Sequence, residues 1–238
     1  MTRLFRGAWR RLEDPLALIP RSKNKLYSLW LAVTYPFLSV GRKLSVHYPC
    51  HLKRPLAVSI KLGDDVIINK DTFIHIVDST DDVPKLIIGN RCTIGPRGFI
   101  SAKNSIIIES DVITGMSVLI QDHQHARDHA DLPIRDQGET PGGRIRIECG
   151  CWIGHGAAIL CNDGELVIGH NSVIGANSVV ARSLPPHSVI VGNPGIPVRY
   201  GASAKVSVNQ CAAVGNGHSG TGPAEGAPIS PVPPVLTH

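Results

Sequence analysis

The chain has 238 residues, of which 42% are hydrophobic, enough to bury a core and to exclude a wholly disordered protein. Aromatic residues make up only 5%, whereas 24 residues are glycine, a balance that favours a fold with tight, repeated corners. Basic residues exceed acidic ones by five without forming a Lys/Arg block interleaved with aromatics, which suits an anionic small ligand or a membrane surface rather than nucleic acid.

Residues 1–43 show no repeat, and we expect one or two helices here that cap the rest of the fold. Apolar side chains recur at helical spacing, at Leu26, Leu29, Trp30, Val33 and Phe37. Two interpretations stay open: this face packs on the protein, or it lies in the interface of a membrane. The second is favoured by the basic residues of the segment, which are Arg3, Arg6, Arg10, Arg11, Arg21, Lys23 and Lys25. The longest uncharged run, residues 26–41, is shorter than the roughly 20 apolar residues of a membrane-spanning helix.

Further along the chain, an aliphatic residue recurs at every sixth position and is followed by a small residue. The clearest run is Ile168, Ile174 and Val180, and further stretches begin at Leu62, Ile88, Ile108 and Ile147. A period of six fits neither an amphipathic helix nor an isolated hairpin. It predicts a β-solenoid, in which one aliphatic side chain per short strand points into a narrow core and three hexads close one triangular coil.

The hexads disappear over residues 121–146, which are rich in His, Arg and acidic side chains. This stretch is too polar for a core, so we expect a loop that projects from the solenoid. Long loops in compact domains usually carry function. The Pro-rich segment 183–200 is expected to end the parallel ladder. Residues 201–238, rich in Gly, Pro and Ala, are predicted to be a disordered tail. The predicted domains are therefore a capping segment at 1–43, a solenoid at 44–200 and the tail.

The compartment is predicted from the cysteines and the N-terminus. The six cysteines form no C-x-x-C pair, and the long charged start of the chain does not have the pattern of a signal peptide. These features predict free thiols in the cytoplasm. A peripheral position at the inner face of a membrane stays open through the N-terminal segment.

Several motifs together make the chain resemble the hexapeptide-repeat acyltransferases. They are the hexads IGPRGF, IGHGAA, IGHNSV and IGANSV, the DHQH element that opens the long loop, GCWIG, and SLPPHSVIVGNP. The resemblance covers roughly residues 45–199 and is nearest to the sugar and polysaccharide O-acetyltransferases, such as the galactoside and maltose enzymes. It implies a left-handed parallel β-helix, a homotrimer with active sites between subunits, acetyl-CoA as the acyl donor and no metal.

Acyl transfer to a hydroxyl needs a base that takes the proton as the oxygen attacks the carbonyl, and a neutral His suits this task. The resemblance implies that the base is His123 or His125, with the other binding or orienting. Asp122 is expected to contact the substrate or to fix a tautomer. Trp152 is expected beside a corner, where its ring stacks on a sugar or on CoA, or packs against the long loop or a neighbouring subunit.

The resemblance also implies a site for CoA. Its groove would be lined by His155, Ala176 and Ala181, because small residues let the pantetheine arm approach. Backbone N–H groups at the Gly154–His155 corner are the implied donors to the oxyanion that forms during attack.

Two arginines are candidates for the CoA phosphates. Arg182 and Arg199 are expected to contact them, or else are plain surface charge. The family usually has Arg or Lys soon after the GNP turn, whereas Ile196 stands there in this chain and the cation is delayed to Arg199.

The leading hypothesis is acetyl transfer from acetyl-CoA to a hydroxyl of a sugar, polysaccharide or glycolipid precursor, by direct attack in a ternary complex. N-acetyl transfer to an amino sugar would use the same residues. A β-helical metal enzyme of the carbonic anhydrase type needs three converging His, whereas His123, His125 and His129 lie in one loop. A non-catalytic scaffold is the third alternative, and the intact DHQH element argues against it.

Overall fold

The computed structural model describes residues 15–77 and 83–199. One helix, α1 (Pro15–Thr34), precedes six coils of three strands each within this part of the chain. The predicted tail 201–238 lies outside the described residues, as do the basic side chains before residue 15.

The strands follow one another in regular threes. Coil one has β1 (Ser39–Val40), β2 (Ser45–Val46) and β3 (Cys50–Leu52), and coil two has β4 (Ile60–Leu62), β5 (Ile67–Ile68) and β6 (Thr72–Ile76). Coil three has β7 (Leu86–Ile88), β8 (Thr93–Ile94) and β9 (Phe99–Ala102), and coil four has β10 (Ser105–Ile108), β11 (Ile113–Thr114) and β12 (Leu119–Gln121). Coil five has β13 (Arg144–Ile147), β14 (Trp152–Ile153) and β15 (Ala158–Leu160), and coil six has β16 (Glu165–Ile168), β17 (Val173–Ile174) and β18 (Val179–Val180). Strands β19 (Val189–Val191) and β20 (Ile196–Arg199) follow, and short 3₁₀ helices span Arg54–Ser59 and Ile134–Asp136.

The first, second and third strands of the coils stack into three sheets, which we call faces A, B and C. Neighbouring coils pair in parallel and in register, so that Ile106 lies opposite Ile145 and Ile108 opposite Ile147. At the end of face B, β20 pairs antiparallel with β19, where the Pro-rich segment was expected to end the ladder. The predicted parallel β-solenoid is therefore confirmed.

The hexad aliphatics form the core. Ile94, Ile153 and Ile174 are buried on face B of coils three, five and six, and Thr114 occupies the equivalent place in coil four. The matching residues of the other two faces are buried with them. The glycine that follows each of these three face B isoleucines is required by the stacking of the corners. A Cβ on Gly154, for example, would lie 2.7 Å from the backbone nitrogen of Ala176 in the next coil.

The long connections lie along one edge of the prism, where face C leads to face A, which we call edge CA. The connections at 53–59, 122–143 and 161–164 all leave a face C strand and return to a face A strand. The longest of them is the predicted polar loop, and it is shorter than expected because Gln121 and Arg144 are strand residues. Edge CA is therefore where this solenoid carries its additional structure.

Helix α1 packs on the first coils, as expected of a cap, but with a different face from the predicted one. Leu31 is buried, the Ser28 hydroxyl accepts a hydrogen bond from the Val46 N–H (2.7 Å), and the Tyr35 hydroxyl donates to the Leu52 carbonyl (3.4 Å). Of the five residues predicted to pack, only Phe37 is half-buried against the core. The other four are exposed: Leu26, Leu29, Trp30 and Val33. Of the two interpretations left open, packing on the protein is wrong for these four, because the side of α1 that carries Ser28 and Leu31 contacts the coils instead. No helix in the described ranges is both long and apolar enough to cross a bilayer.

Cysteines are free at Cys50, Cys92, Cys151 and Cys161. Cys149 is disulfide-bonded, so the expectation of free thiols throughout is wrong at this position.

Candidate functional site

The polar loop begins directly after β12, on edge CA. Its first residue, Asp122, is completely buried, and its carboxylate is surrounded by hydrogen-bond donors. Oδ1 accepts the backbone N–H of Lys103 (2.7 Å), and Oδ2 accepts those of Asn104 (2.8 Å) and Ser105 (2.9 Å). These three N–H groups belong to the tight corner of the coil below. Asp122 therefore holds the foot of the loop against the solenoid.

The same carboxylate orients His123. Nδ1 of His123 lies 2.9 Å from Oδ1 of Asp122, and the imidazole is only 5% exposed. An ionised carboxylate only accepts hydrogen bonds, so we assign the proton to Nδ1, which leaves the lone pair on Nε2. This is the arrangement in which a carboxylate sets the tautomer and orientation of a catalytic His in hydrolase triads. His123 is thus built to accept a proton at Nε2.

His125 has different surroundings. Its side chain is exposed and makes no hydrogen bond or ion pair within the described parts of the chain, while its backbone forms an antiparallel bridge with Glu139. His129 is exposed as well. Of the two alternatives that the sequence left open, only His123 has a partner that orients it.

The two arms of the loop are held together, close to the solenoid, by contacts that the sequence did not predict. The Thr140 N–H donates to the Gln124 carbonyl (2.7 Å), and the Lys103 ammonium donates to the Thr140 carbonyl (2.6 Å) while pairing with Glu139 (3.4 Å). The Asn162 side chain, from the corner above, donates to Gln124 Oε1 (3.3 Å). The first contact joins the two arms of the loop, and the other two join the loop to the corners of neighbouring coils, so no spacing in the sequence points to these residues.

A groove of about 900 Å³ opens beside this edge on face A. Its lining is mainly polar and includes the backbone of the corner held by Asp122, together with the side chains of Lys103, Asn104, Arg144 and Glu165. Neither Asp122 nor His123 lines this groove, and its polar lining suits a ligand with several hydroxyl groups.

The residues predicted to bind CoA lie at the two ends of face C. Gly154, His155 and Ala176 stack on the edge between faces B and C, edge BC, where the His155 carbonyl accepts the Asn177 N–H (2.8 Å). His155 and Ala176 are exposed, and so are Ala181 and Arg182 at the other end of face C.

Arg199 lies apart from both ends. It stands in β20 on face B, where its backbone pairs with Val189, and its side chain is outside the described part of the structure. The structure thus brings Gly154, His155 and Ala176 together on edge BC and places Arg199 in a strand of face B.

The predicted oxyanion donors at the Gly154–His155 corner differ from each other. The Gly154 N–H donates to the Ile174 carbonyl at 2.7 Å and is therefore used by the solenoid itself. The His155 N–H donates no hydrogen bond to the residues that the structure describes. The expectation that both groups are donors is wrong for Gly154, because a ladder bond between coils consumes its N–H.

Trp152 lies on face B, with Ile113 and Val173 as its register neighbours in the coils below and above. Its side chain points outward and the residue is 56% exposed. Within one protomer it therefore lies on a different face from the edge that carries His123, and the alternative in which it packs on its own long loop is wrong.

The buried thiols are poor nucleophiles. Burial raises the pKa of Cys92 to about 11 and the pKa of Cys151 to about 12. The reactive species of cysteine is the thiolate, which is scarce at neutral pH for such groups. The described geometry thus favours chemistry by an imidazole over chemistry by either of these thiols.

Comparison with known proteins gives relatives of one kind, although no family model matches the chain. A putative acetyltransferase of Schizosaccharomyces pombe is 35% identical over 94 residues, which are 40% of this chain and 42% of that protein. A putative acetyltransferase of Staphylococcus aureus is 45% identical over 60 residues, 25% of this chain and 29% of the relative. Chloramphenicol acetyltransferase of Escherichia coli is 29% identical over 126 residues, covering 52% and 56%. The chain thus spans little more than half the length of these relatives, or less.

Solved structures share the fold. AntD, an N-acyltransferase from Bacillus cereus in complex with dTDP and 3-hydroxybutyryl-CoA, superposes with a TM-score of 0.58 at 19% identity, over 74% of this chain and 87% of that one. A point mutant of the same enzyme, in complex with dTDP and coenzyme A, gives 0.56 at 20% identity, over 68% and 83%. The resemblance to hexapeptide-repeat acyltransferases is thereby confirmed at the level of the fold.

Proposed function

We propose that the protein is an acyl-CoA-dependent acyltransferase that moves an acetyl group from acetyl-CoA to a hydroxyl of a sugar, polysaccharide or glycolipid precursor in the cytoplasm. The observation that carries the proposal is the buried Asp122–His123 pair at the foot of the loop on edge CA. The shared fold with an N-acyltransferase and the relatives named acetyltransferases support the class of reaction. The polar groove on edge CA, which is lined by the corner that donates to Asp122, supports a hydroxyl-rich acceptor.

In the proposed mechanism, Nε2 of His123 removes the proton of the acceptor hydroxyl as its oxygen attacks the thioester carbonyl. A tetrahedral oxyanion forms, and its collapse breaks the carbon–sulfur bond. The departing CoA thiolate takes the proton from the imidazolium, which returns His123 to its starting form. Asp122 stabilises the imidazolium while it exists and preserves the Nδ1–H tautomer. A positioned base of this kind contributes roughly 10²–10⁴-fold to the rate.

The backbone N–H of His155 is the proposed donor to the oxyanion, because no other group in the described structure uses it. Ala176 and Ala181 would leave room for the pantetheine arm, and Arg182 would meet the CoA phosphates. Arg199 is kept as a second phosphate contact from the sequence. Trp152 and His125 are proposed to contact the acceptor or CoA.

We propose a homotrimer in which neighbouring copies complete each site. In a single protomer, edge BC with His155 and edge CA with His123 are separated by face C, whose strands β12 and β15 have three residues each and span roughly 10 Å. A direct attack needs the reacting atoms within about 3.5 Å of each other. Edge CA of one copy facing edge BC of another would bring the base and the CoA corner together.

N-acyl transfer to an amino sugar is the second candidate, and the fold shared with AntD, an N-acyltransferase, favours it. Asp122 and His123 would serve an amine acceptor in the same way. The two candidates differ in the nucleophile of the acceptor and not in the roles of this chain's residues.

The test is to incubate the full chain with acetyl-CoA and matched panels of sugars and amino sugars, following thiol release. We expect acceptor-dependent release by the wild type and loss of most of it in His123→Ala. Release with hydroxyl acceptors supports O-transfer, and release with amino sugars alone supports N-transfer. An acceptor-dependent rate that His123→Ala leaves unchanged contradicts the proposed base, and no CoA binding at all contradicts the class.

A further inference from the structure

Helix α1 has two opposite faces with different roles. Asn24, Ser28, Leu31 and Tyr35, spaced by four, three and four residues, form the stripe that contacts the first coils. Asn24 Oδ1 accepts the Tyr48 N–H (3.2 Å), and Leu31 enters the core. Residues at this spacing share one side of a helix, so the orientation of α1 on the solenoid is set by this stripe.

The opposite side of α1 is apolar and exposed. At 3.6 residues per turn, its apolar residues centre on the direction roughly 180° from the packed stripe. Ile19 and Val33 are each 75% exposed. The other members are Leu18, Leu26, Leu29 and Trp30. We call these six residues the outer stripe. A contiguous exposed apolar patch of this kind is typical of a surface that binds another protein, a membrane or a ligand.

Charge indicates what the outer stripe binds. Lys25 lies on one border of the stripe and Lys23 on the other, each at roughly 80° from its centre. The Lys23 ammonium lies 4.0 Å from the centroid of the Tyr48 ring, so Lys25 is the lysine that faces away from the solenoid. The described part of α1 contains no acidic residue. In the sequence, residues 1–34 carry seven basic and two acidic side chains, so they hold the whole net charge of +5 while the remaining 204 residues are balanced.

We propose that α1 docks the protein on an anionic lipid bilayer, with the outer stripe in the boundary between headgroups and acyl chains and the ammonium group of Lys25 at the lipid phosphates. An apolar stripe that contains Leu, Ile and Trp and is bordered by Lys is the pattern of an interfacial helix. Long Lys side chains place their ammonium groups in the headgroup region while their stems stay apolar. The solenoid sits on the other side of α1, so docking leaves the coils outside the bilayer. This inference does not depend on the proposed acyltransferase activity.

The experiment is co-sedimentation of the full chain with vesicles of phosphatidylcholine containing phosphatidylglycerol, compared with vesicles of phosphatidylcholine alone. We expect binding to the anionic vesicles that is at least about tenfold tighter than to the neutral ones and that weakens in high salt. The variant Ile19→Ser/Val33→Ser removes apolar area without changing charge and should weaken binding by about tenfold or more. The variant Lys25→Gln should weaken it by about fivefold.

The matched control is Ile196→Ser, which removes a similarly exposed aliphatic residue from β20 and should bind like the wild type. Thermal unfolding followed by circular dichroism checks that each variant folds. We expect each of them to fold, because the substituted side chains are exposed. Wild type that fails to bind anionic vesicles overturns the proposal, and so does undiminished binding by Ile19→Ser/Val33→Ser. The proposal is also overturned if a second copy of this chain covers the outer stripe. In that case the wild type would not bind vesicles, and sedimentation velocity would show the double variant as a smaller species than the wild type.

Discussion

Oδ1 of Asp122 lies 2.9 Å from Nδ1 of His123, and the same oxygen accepts the backbone N–H of Lys103 at 2.7 Å. One buried carboxylate therefore performs two tasks, since it fixes the imidazole and ties the loop to the coil below. The proposed active site and the local stability of edge CA should consequently respond together when Asp122 is changed, and separately when His123 is changed.

Asp122→Asn should keep the shape of the side chain while placing an NH₂ group where donors now point. We expect turnover to fall by on the order of 10²-fold or more, because the imidazole loses its fixed tautomer and its stabilised charge. We also expect the free energy of unfolding to fall by about 1–3 kcal/mol, since a buried backbone donor loses its acceptor. Steady-state kinetics and urea unfolding measure the two effects. Wild-type turnover in a folded Asp122→Asn would contradict the orienting role.

His123→Ala should fold normally and lose about 10²–10⁴-fold in kcat, because the base is absent. His125→Ala is the matched change two residues away, and its exposed side chain has no described partner. We expect His125→Ala to raise the KM for the acceptor with a smaller change in kcat. The reverse pattern of kcat losses would assign the base to His125.

Alkaline pH should destabilise the protein through its buried thiols. Cys151 titrates near pH 8.5 when unfolded, whereas burial raises its pKa in the folded protein to about 12. The folded state holds more protons between these values, so the stabilisation is complete below about pH 8.5 and is lost as the pH rises toward 12, at up to about 1.4 kcal/mol per pH unit for each such thiol.

Denaturant unfolding at pH 8 and pH 10 measures this loss. Cys151→Ala should show a smaller loss over the same interval than the wild type, because one thiol no longer titrates. An identical loss in both proteins would show that Cys151 does not contribute.

The alternation of buried and exposed residues in the solenoid can be tested within one strand. Ile60 is fully buried in β4, whereas its neighbour Lys61 is exposed. Ile60→Ala should lower the free energy of unfolding by about 2–5 kcal/mol, because it removes packed methyl groups and leaves a cavity. Lys61→Ala should change it by less than about 0.5 kcal/mol. Equal losses of unfolding free energy at both positions in urea unfolding would contradict the alternation of inward and outward side chains along β4.

The solenoid and its core could be predicted from the sequence because their cause is local. Ile153 occupies the aliphatic position of its hexad, and the period of six alone predicts that residues at this position point inward. The polar loop and the candidate histidines were found for a similar reason, since the loss of the repeat and the DHQH element are both visible along the chain.

The stacking of the coils decided what the sequence left open. Asp122 orients His123 and is itself held by backbone donors that precede it by 17 to 19 residues. The Gly154 N–H bonds to the coil above, and polar anchors such as Ser28 turn the apolar stripe of α1 outward. Each of these outcomes depends on which corner lies above or below another. Which corners lie next to each other is set by the number of residues in each whole coil, and a pattern over six residues does not predict it.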